Sequence, residues 1–322
     1  MASLLIIGGS GFFGKSFLDA YVRGKLNLWK IDSIGVLSRH AEQLKLQYPE
    51  LINESIKLIN SDIATCQDLP FADYVIHAAA STDAANYLMR PKEEKWNIQA
   101  GTHNYCALAN KFHLNSRILY CSSGAVYGQQ PMDVEYLSEE FDHGYVDEMS
   151  ITKRDYAMAK RDSEKSIQAL GSQGGAVSIA RCFAFVGKYL PRDQHFAIGN
   201  FIEDGLKGRS IEVRSNHLVY RSYMYADDLV HWLMTICHSA STHCPIYNVG
   251  SDQAITISDL AMVVAQRFSV HINKMEISRN IVDRYIPSIS KARDQLGLSL
   301  STDIAGAIDK TIAALRFDNL NA

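Results

Sequence analysis

Short apolar runs at Leu4–Ile7, Ile31–Leu37, Ile56–Ile59, Tyr74–His77 and Arg117–Cys121 alternate with stretches in which apolar residues recur at helical spacing. Runs this short predict strands, and the uninterrupted first one predicts a strand buried on both faces of a parallel sheet. After it, Phe17, Leu18, Tyr21 and Val22 share one face of a predicted helix that runs to about Gly24, and a second helical stretch covers about Trp96 to Phe112. Strands and helices in alternation predict an α/β fold around a doubly wound parallel sheet.

The junction of the first strand with the first helix reads Gly8-Gly9-Ser10-Gly11-Phe12-Phe13-Gly14-Lys15. Of its glycines, one permits a tight turn, one lets a pyrophosphate approach the backbone, and one lets helix and strand pack closely. The new helix offers N–H groups and the positive end of its dipole to an anion, so Gly8, Gly11, Phe12, Phe13 and Gly14 are candidate dinucleotide-binding residues of a Rossmann domain.

The second strand would end in an acid if it held the ribose 2′-hydroxyl of NAD, but it ends Leu37-Ser38-Arg39-His40. A hydroxyl at Ser38 and a guanidinium at Arg39 suit a 2′-phosphate, which favours NADP(H) and leaves NAD(H) open. After the third strand, Asp62 could reach an adenine amino group, with Ile63 beside it, or could be a plain turn residue. After the fourth, Ala78, Ala79 and Ala80 let a flat ligand lie on the backbone, and His77 reads as a packed structural histidine.

Composition narrows the classes. The chain has 322 residues, 47% hydrophobic and 21% charged, with a net charge of -3. That balance argues against nucleic acid or an acidic membrane surface as a partner. Met1–Ile7 lacks the basic start of an export signal, and no uncharged run reaches the ~18 residues of a membrane span. Cys66, Cys106, Cys121, Cys182, Cys237 and Cys244 show no metal-ligand spacing, so no metal is expected, and they read as reduced thiols of a cytoplasmic protein.

The fifth strand leads into Ser122-Ser123-Gly124-Ala125-Val126-Tyr127-Gly128, and Tyr156-Ala157-Met158-Ala159-Lys160 follows. A Tyr and a Lys four apart project from one helix face, so the ammonium can lower the phenol pKa from ~10 towards working pH. Ser123 can share the substrate oxygen. With the glycine turn, this set resembles the extended short-chain dehydrogenase/reductase family of nucleotide-sugar epimerases, dehydratases and reductases over nearly the whole chain.

The resemblance implies a Rossmann domain over residues 1–180 and a smaller α/β substrate-binding lobe mainly over 181–322, with segments returning to the core. It implies catalysis by Ser123, Tyr156 and Lys160, the last two also touching cofactor, and substrate contacts from Ser123, Asn200, Arg221 and Arg284. Asn97 is similar to an Asn that helps hold the active-site helix, and Ala184 departs from a usual Asn. Asp227 is expected to cap the helix carrying Leu229, Trp232, Leu233 and Ile236, and Ser258 the helix after it. His195, Cys182 and Asp193 stand where a second acid or base could sit. Family members commonly form homodimers.

Family dehydratases carry an Asp-Glu pair where this chain has Gly124 and Ala125, which disfavours 4,6-dehydration. The expectation is an NAD(P)-dependent reductase of an NDP-4-keto-6-deoxyhexose. An NDP-sugar 4-epimerase with tightly held NAD is the alternative, and a non-catalytic NADP-sensing regulator, which would not need all of Ser123, Tyr156 and Lys160, is a third.

Overall fold

The computed structural model describes residues 1–80, 89–142, 146, 149–194 and 196–321. Its central sheet contains β1 (Ala2–Ile7), β2 (Ile31–Ser38), β3 (Ile56–Asn60), β4 (Tyr74–His77), β5 (Arg117–Ser123), β6 (Ala176–Cys182) and a last strand, Ile246–Val249. The spatial order is last strand, β6, β5, β4, β1, β2, β3, with every strand parallel to its neighbour. Leu4, Leu5, Ile6 and Ile7 are 0–1% exposed, as expected of a parallel strand covered on both faces. The chain winds outward from β1 through β2 and β3, then restarts at β4 on the other side, so the order reverses between β1 and β4. Ligands of open α/β sheets bind at such a reversal, beyond the carboxyl ends of the strands. The glycine turn after Ile7 and the alanines after His77 both stand there, because Ile7 pairs with His77.

Two compact units share the chain. The first comprises residues 1–126, 149–182 and 230–247. In it the helices Pro91–Phe112 and Ile151–Ser172 pack together, and the apolar residues Ile118, Tyr120, Ile167, Leu170, Val177 and Ile179 belong to one core cluster. The second comprises residues 127–148, 183–229 and 248–322. There Leu218–Arg221 lies between Ile255–Thr256, antiparallel, and Val282–Tyr285, parallel, which sets Tyr220 against Arg284 and Arg221 against Tyr285.

Two helix starts differ from expectation. The cap of Ile257–Phe268 is Thr256, whose hydroxyl accepts from the Asp259 N–H at 3.0 Å, and not Ser258. The hydroxyl also donates to the Asp259 carboxylate at 2.7 Å, so side chain and backbone fix the turn together. Asp227 lies inside the first turn of Ala226–His238 and not ahead of it. Its neighbour Asp228 is the buried one, accepting from the Ser301 hydroxyl at 2.6 Å and from the Ser301 and Thr302 N–H groups. The expected apolar face, Leu229, Trp232, Leu233 and Ile236, is buried throughout.

All six cysteines are free thiols. Among the described residues no group of acidic, Cys and His side chains could hold a metal ion, and no helix is long and apolar enough to cross a membrane.

His77 is 1% exposed and packs edge-on against the rings of Tyr105 and Tyr120, at 5.0 and 5.4 Å between centroids. Burial, aided by the nearby Lys160 charge, lowers its pKa to about 3. It is therefore a neutral structural residue, as expected from the sequence. An unfolded histidine titrates near ~6.5, so the unfolded chain binds the extra proton first on acidification. The stabilisation is complete above that value and is lost as the pH falls from there towards 3. His77→Gln is expected to flatten the acid limb of the stability profile by on the order of a few kcal/mol. Denaturant midpoints of both proteins from pH 7 to pH 4 check this, and an unchanged difference across the series refutes it.

Candidate active site

The glycine turn has the shape that its spacing predicts. Gly8 adopts a φ of +86°, and a Cβ there would lie 2.7 Å from the Ala79 backbone. Gly14 is buried against Gly9, whose carbonyl and Cα would overlap any Cβ at position 14. Gly11 is exposed, and a Cβ there would meet only the Gly8 carbonyl oxygen, at 3.4 Å. Turn and close packing thus fall to Gly8 and Gly14, while Gly11 keeps an open backbone edge for an anion. No side chain caps the helix Phe12–Val22, and no acid stands in its first turn, so its own first turn offers no opposition to an anion at the dipole's positive end. These features fit a dinucleotide.

The hydroxyls of Ser38 and Ser10 lie 2.6 Å apart, joining the end of β2 to the glycine turn. Ser10 did not stand out in the sequence, since its partner is distant in the chain. Arg39 is exposed. One Asp62 carboxylate oxygen accepts from the Ala64 N–H at 2.9 Å, the turn role weighed for it, and Ile63 is buried beside it. Ala78, Ala79 and Ala80 are all partly exposed.

Beyond the end of β5 the first unit brings Ser123, Tyr156 and Lys160 together. The Lys160 ammonium is 2% exposed, donates to the Cys121 carbonyl at 2.8 Å, and lies 4.8 Å from the Tyr120 ring centre and 6.0 Å from that of Tyr156. Burial works against its charge, but the phenol groups of Tyr120 and Tyr156 outweigh that, and Lys160 is held above its ordinary range. Tyr156 is half-buried. Burial raises its phenol above the usual value, while Lys160 and a hydrogen bond with Ser123 pull it down without overcoming the burial. The Tyr-Lys spacing alone predicts a phenol lowered towards working pH. The ammonium does act in that direction, but desolvation of the phenolate is the larger effect. The Ser123 hydroxyl also accepts from the Ala125 N–H at 3.2 Å, which orients it.

On the helix Pro91–Phe112, which carries Asn97, Gln99 donates to Asp162 of the active-site helix at 2.8 Å and Lys95 lies 3.8 Å from Asp155. Cys182 is buried and its thiol is pushed well up by burial, which keeps it protonated and argues against a base there. Asp193 is exposed, and His195 lies outside the described residues.

In the second unit Asn200 donates its amide to the Gln194 carbonyl at 2.8 Å. Arg221 forks onto Asp283, at 2.9 Å to Oδ2 and 3.2 Å to Oδ1, and also donates to the Tyr220 carbonyl at 2.8 Å. Arg284 stacks over the Tyr220 ring at 4.6 Å, with its Nε buried and unpartnered. The two arginines expected to grip a diphosphate therefore differ, since a carboxylate already neutralises Arg221.

A family model described as NAD dependent epimerase/dehydratase family matches residues 4–250. UDP-glucuronic acid decarboxylase 1 of Danio rerio is 26% identical over 313 residues, an alignment that covers 96% of this chain and 71% of that protein. Among solved structures, UDP-glucose 4-epimerase of Thermotoga maritima, solved with UDP-glucose, matches with a TM-score of 0.80 at 17% identity, covering 98% of this chain and 99% of the other. DesIV, a dTDP-glucose 4,6-dehydratase of Streptomyces venezuelae solved with NAD bound, matches with a TM-score of 0.81 at 20% identity, covering 98% of each chain. Both structural matches have the fold described above.

Proposed function

Because the chain belongs to the NAD-dependent epimerase/dehydratase family, we propose that it is an NAD(P)-dependent oxidoreductase of a nucleotide-diphosphate sugar that reduces a 4-keto group, as in an NDP-4-keto-6-deoxyhexose. The observation that carries this reading is the convergence of Ser123, Tyr156 and Lys160 on one end of β5. A phenol held above its usual range is protonated at neutral pH, the form that delivers a proton to a ketone oxygen. Ser123 orients that oxygen, and Lys160 holds a ribose hydroxyl and supplies positive charge beside the phenol. The nicotinamide, when bound, supplies the hydride. Gly8, Gly11, Phe12, Phe13 and Gly14 would hold its pyrophosphate and Ala78, Ala79 and Ala80 would flank it. Asp62 and Ile63 would border the adenine, and Asn200, Arg221 and Arg284 would hold the sugar nucleotide. Dehydration is set aside on Gly124 and Ala125 alone, which put no carboxylate in that turn.

A second reading, a 4-epimerase with retained NAD, has its own support in the relatives, since the DesIV structure holds NAD and the Thermotoga maritima protein is a 4-epimerase. Mass spectrometry of the nucleotide released on denaturing the purified protein separates them. An empty site that takes NADPH ahead of NADH supports the reductase, and tightly bound NAD supports the epimerase.

The cofactor preference rests on Arg39. Arg39→Ala is expected to weaken NADPH binding about 10-fold or more while leaving NADH binding nearly unchanged, the loss of one charge-assisted contact to a 2′-phosphate. Fluorescence titration with both cofactors checks it, and equal losses for the two would remove Arg39 from the 2′-phosphate.

A further inference from the structure

The apolar face between the sheet and the helix Ile151–Ser172 ends abruptly in charge. Along β5 the core residues Ile118 and Tyr120 are followed by Ser122, and along β6 Val177 and Ile179 are followed by Arg181. Ser122 and Arg181 are register partners. Both reach one carboxylate from the helix, that of Glu164. The Ser122 hydroxyl donates to Glu164 Oε1 at 2.6 Å, Arg181 Nε donates to Oε1 at 3.1 Å, and Arg181 Nη2 donates to Oε2 at 2.8 Å. All three residues are 4–5% exposed.

We propose that this buried Ser122–Glu164–Arg181 clasp is a positioning device for the hydride-transfer site, setting the rotation and height of the helix so that Tyr156 and Lys160 meet Ser123. The proposal rests on the function assigned above to those three residues. Tyr156, Lys160 and Glu164 recur every four residues and so form one stripe of the helix, and the clasp is a single turn from the ammonium. Ser122 is the residue before Ser123, and Arg181 precedes Cys182, the register partner of Ser123. Ser122 and Glu164 are thus one residue and one helical turn from the reacting groups, and Arg181 lies beside Ser122 on the neighbouring strand.

The physical need for such a device lies in the rest of the interface. Beside the bonds from Gln99 to Asp162 and from Lys160 to the Cys121 carbonyl, the helix meets the sheet through methyl and ring contacts, which are non-directional and let it shift slightly at small cost. A guanidinium fork on a carboxylate has one good geometry and adds orientation to attraction. Misplacing a reacting group by ~1 Å can cost ~10²-fold in rate. Stability alone does not call for a charged clasp here, because well-packed apolar replacements of a buried ion pair are often neutral or stabilising.

That contrast supplies the test. The triple variant Ser122→Ala, Glu164→Met, Arg181→Met removes the clasp without leaving an unpaired buried charge. It is expected to keep its thermal midpoint within a few degrees and to lose about 10-fold or more in kcat with little change in KM. A second readout needs no substrate: in protein carrying ¹³Cζ-tyrosine, the Tyr156 resonance, identified by its loss in Tyr156→Phe, should titrate at higher pH in the variant as Lys160 moves off the phenol. Arg181→Lys keeps the charge but not the fork, and should show the same two changes to a smaller degree. A folded triple variant with native kcat and a native Tyr156 titration overturns the proposal. If the triple variant does not fold, native values for both in Arg181→Lys overturn it equally. A protein that turns over no nucleotide sugar would sink the functional reading and leave the tyrosine titration to decide the clasp.

Discussion

Tyr156→Phe is expected to lower turnover by about 10²–10⁴-fold, the range over which a positioned general acid acts, while the protein stays folded and still binds its cofactor. The substitution removes one oxygen and keeps the ring, so the half-buried packing on the helix is preserved. What disappears is the proton carrier between Ser123 and Lys160. The sign of the pH dependence follows from the raised phenol. For ketone reduction the active form is the neutral phenol, so the native rate should hold through neutral pH and fall as the pH rises through the phenol's pKa. The variant's residual rate should lack that alkaline limb. Initial rates in both proteins, with any accepted nucleotide sugar and reduced cofactor, check both statements. Undiminished turnover in Tyr156→Phe would falsify the assignment of the acid.

The parts of this site that were legible in the sequence are those whose geometry is local. A Tyr and a Lys on successive helical turns, glycines in a strand-to-helix turn and alanines at a strand end keep their mutual positions wherever the fold carries them. The parts that were not legible depend on partners far apart in the chain. Arg221 reads as a free cation until Val282–Tyr285 pairs beside Leu218–Arg221 and brings Asp283 to it. Nothing in the chain near Glu164 marks it as a buried partner, because Arg181 comes to it from β6. The raised pKa of Tyr156 is of the same kind, since the charge that lowers it is four residues away while the burial that raises it comes from the whole surrounding core. The misplaced cap at Ser258 has a smaller cause. Thr256 and Ser258 are both of residue types that can cap, and Asp259 three positions after Thr256 bonds its hydroxyl and so marks the true start.

The glycines allow a sharper test of the cofactor site, because Gly14 and Gly11 are expected to fail in opposite ways. At Gly14 an alanine methyl would overlap the backbone of Gly9, and backbone in a tight turn between a buried strand and its helix cannot move aside cheaply. Gly14→Ala should destabilise the fold by about 1–3 kcal/mol or more, the range for overpacking a dense interior, and lose cofactor binding because the cradle itself is displaced. At Gly11 the methyl meets nothing closer than 3.4 Å, and the φ of -81° suits any residue. Gly11→Ala should therefore melt within ~0.5 kcal/mol of the native protein, as surface substitutions do, yet bind NADPH and NADH much more weakly, because the methyl occupies the edge where the pyrophosphate would lie. Denaturant midpoints and cofactor titrations on the two variants make the comparison. If Gly11→Ala binds cofactor normally, the pyrophosphate does not cross the turn at that glycine, and the anion site assigned to the helix Phe12–Val22 must be given up.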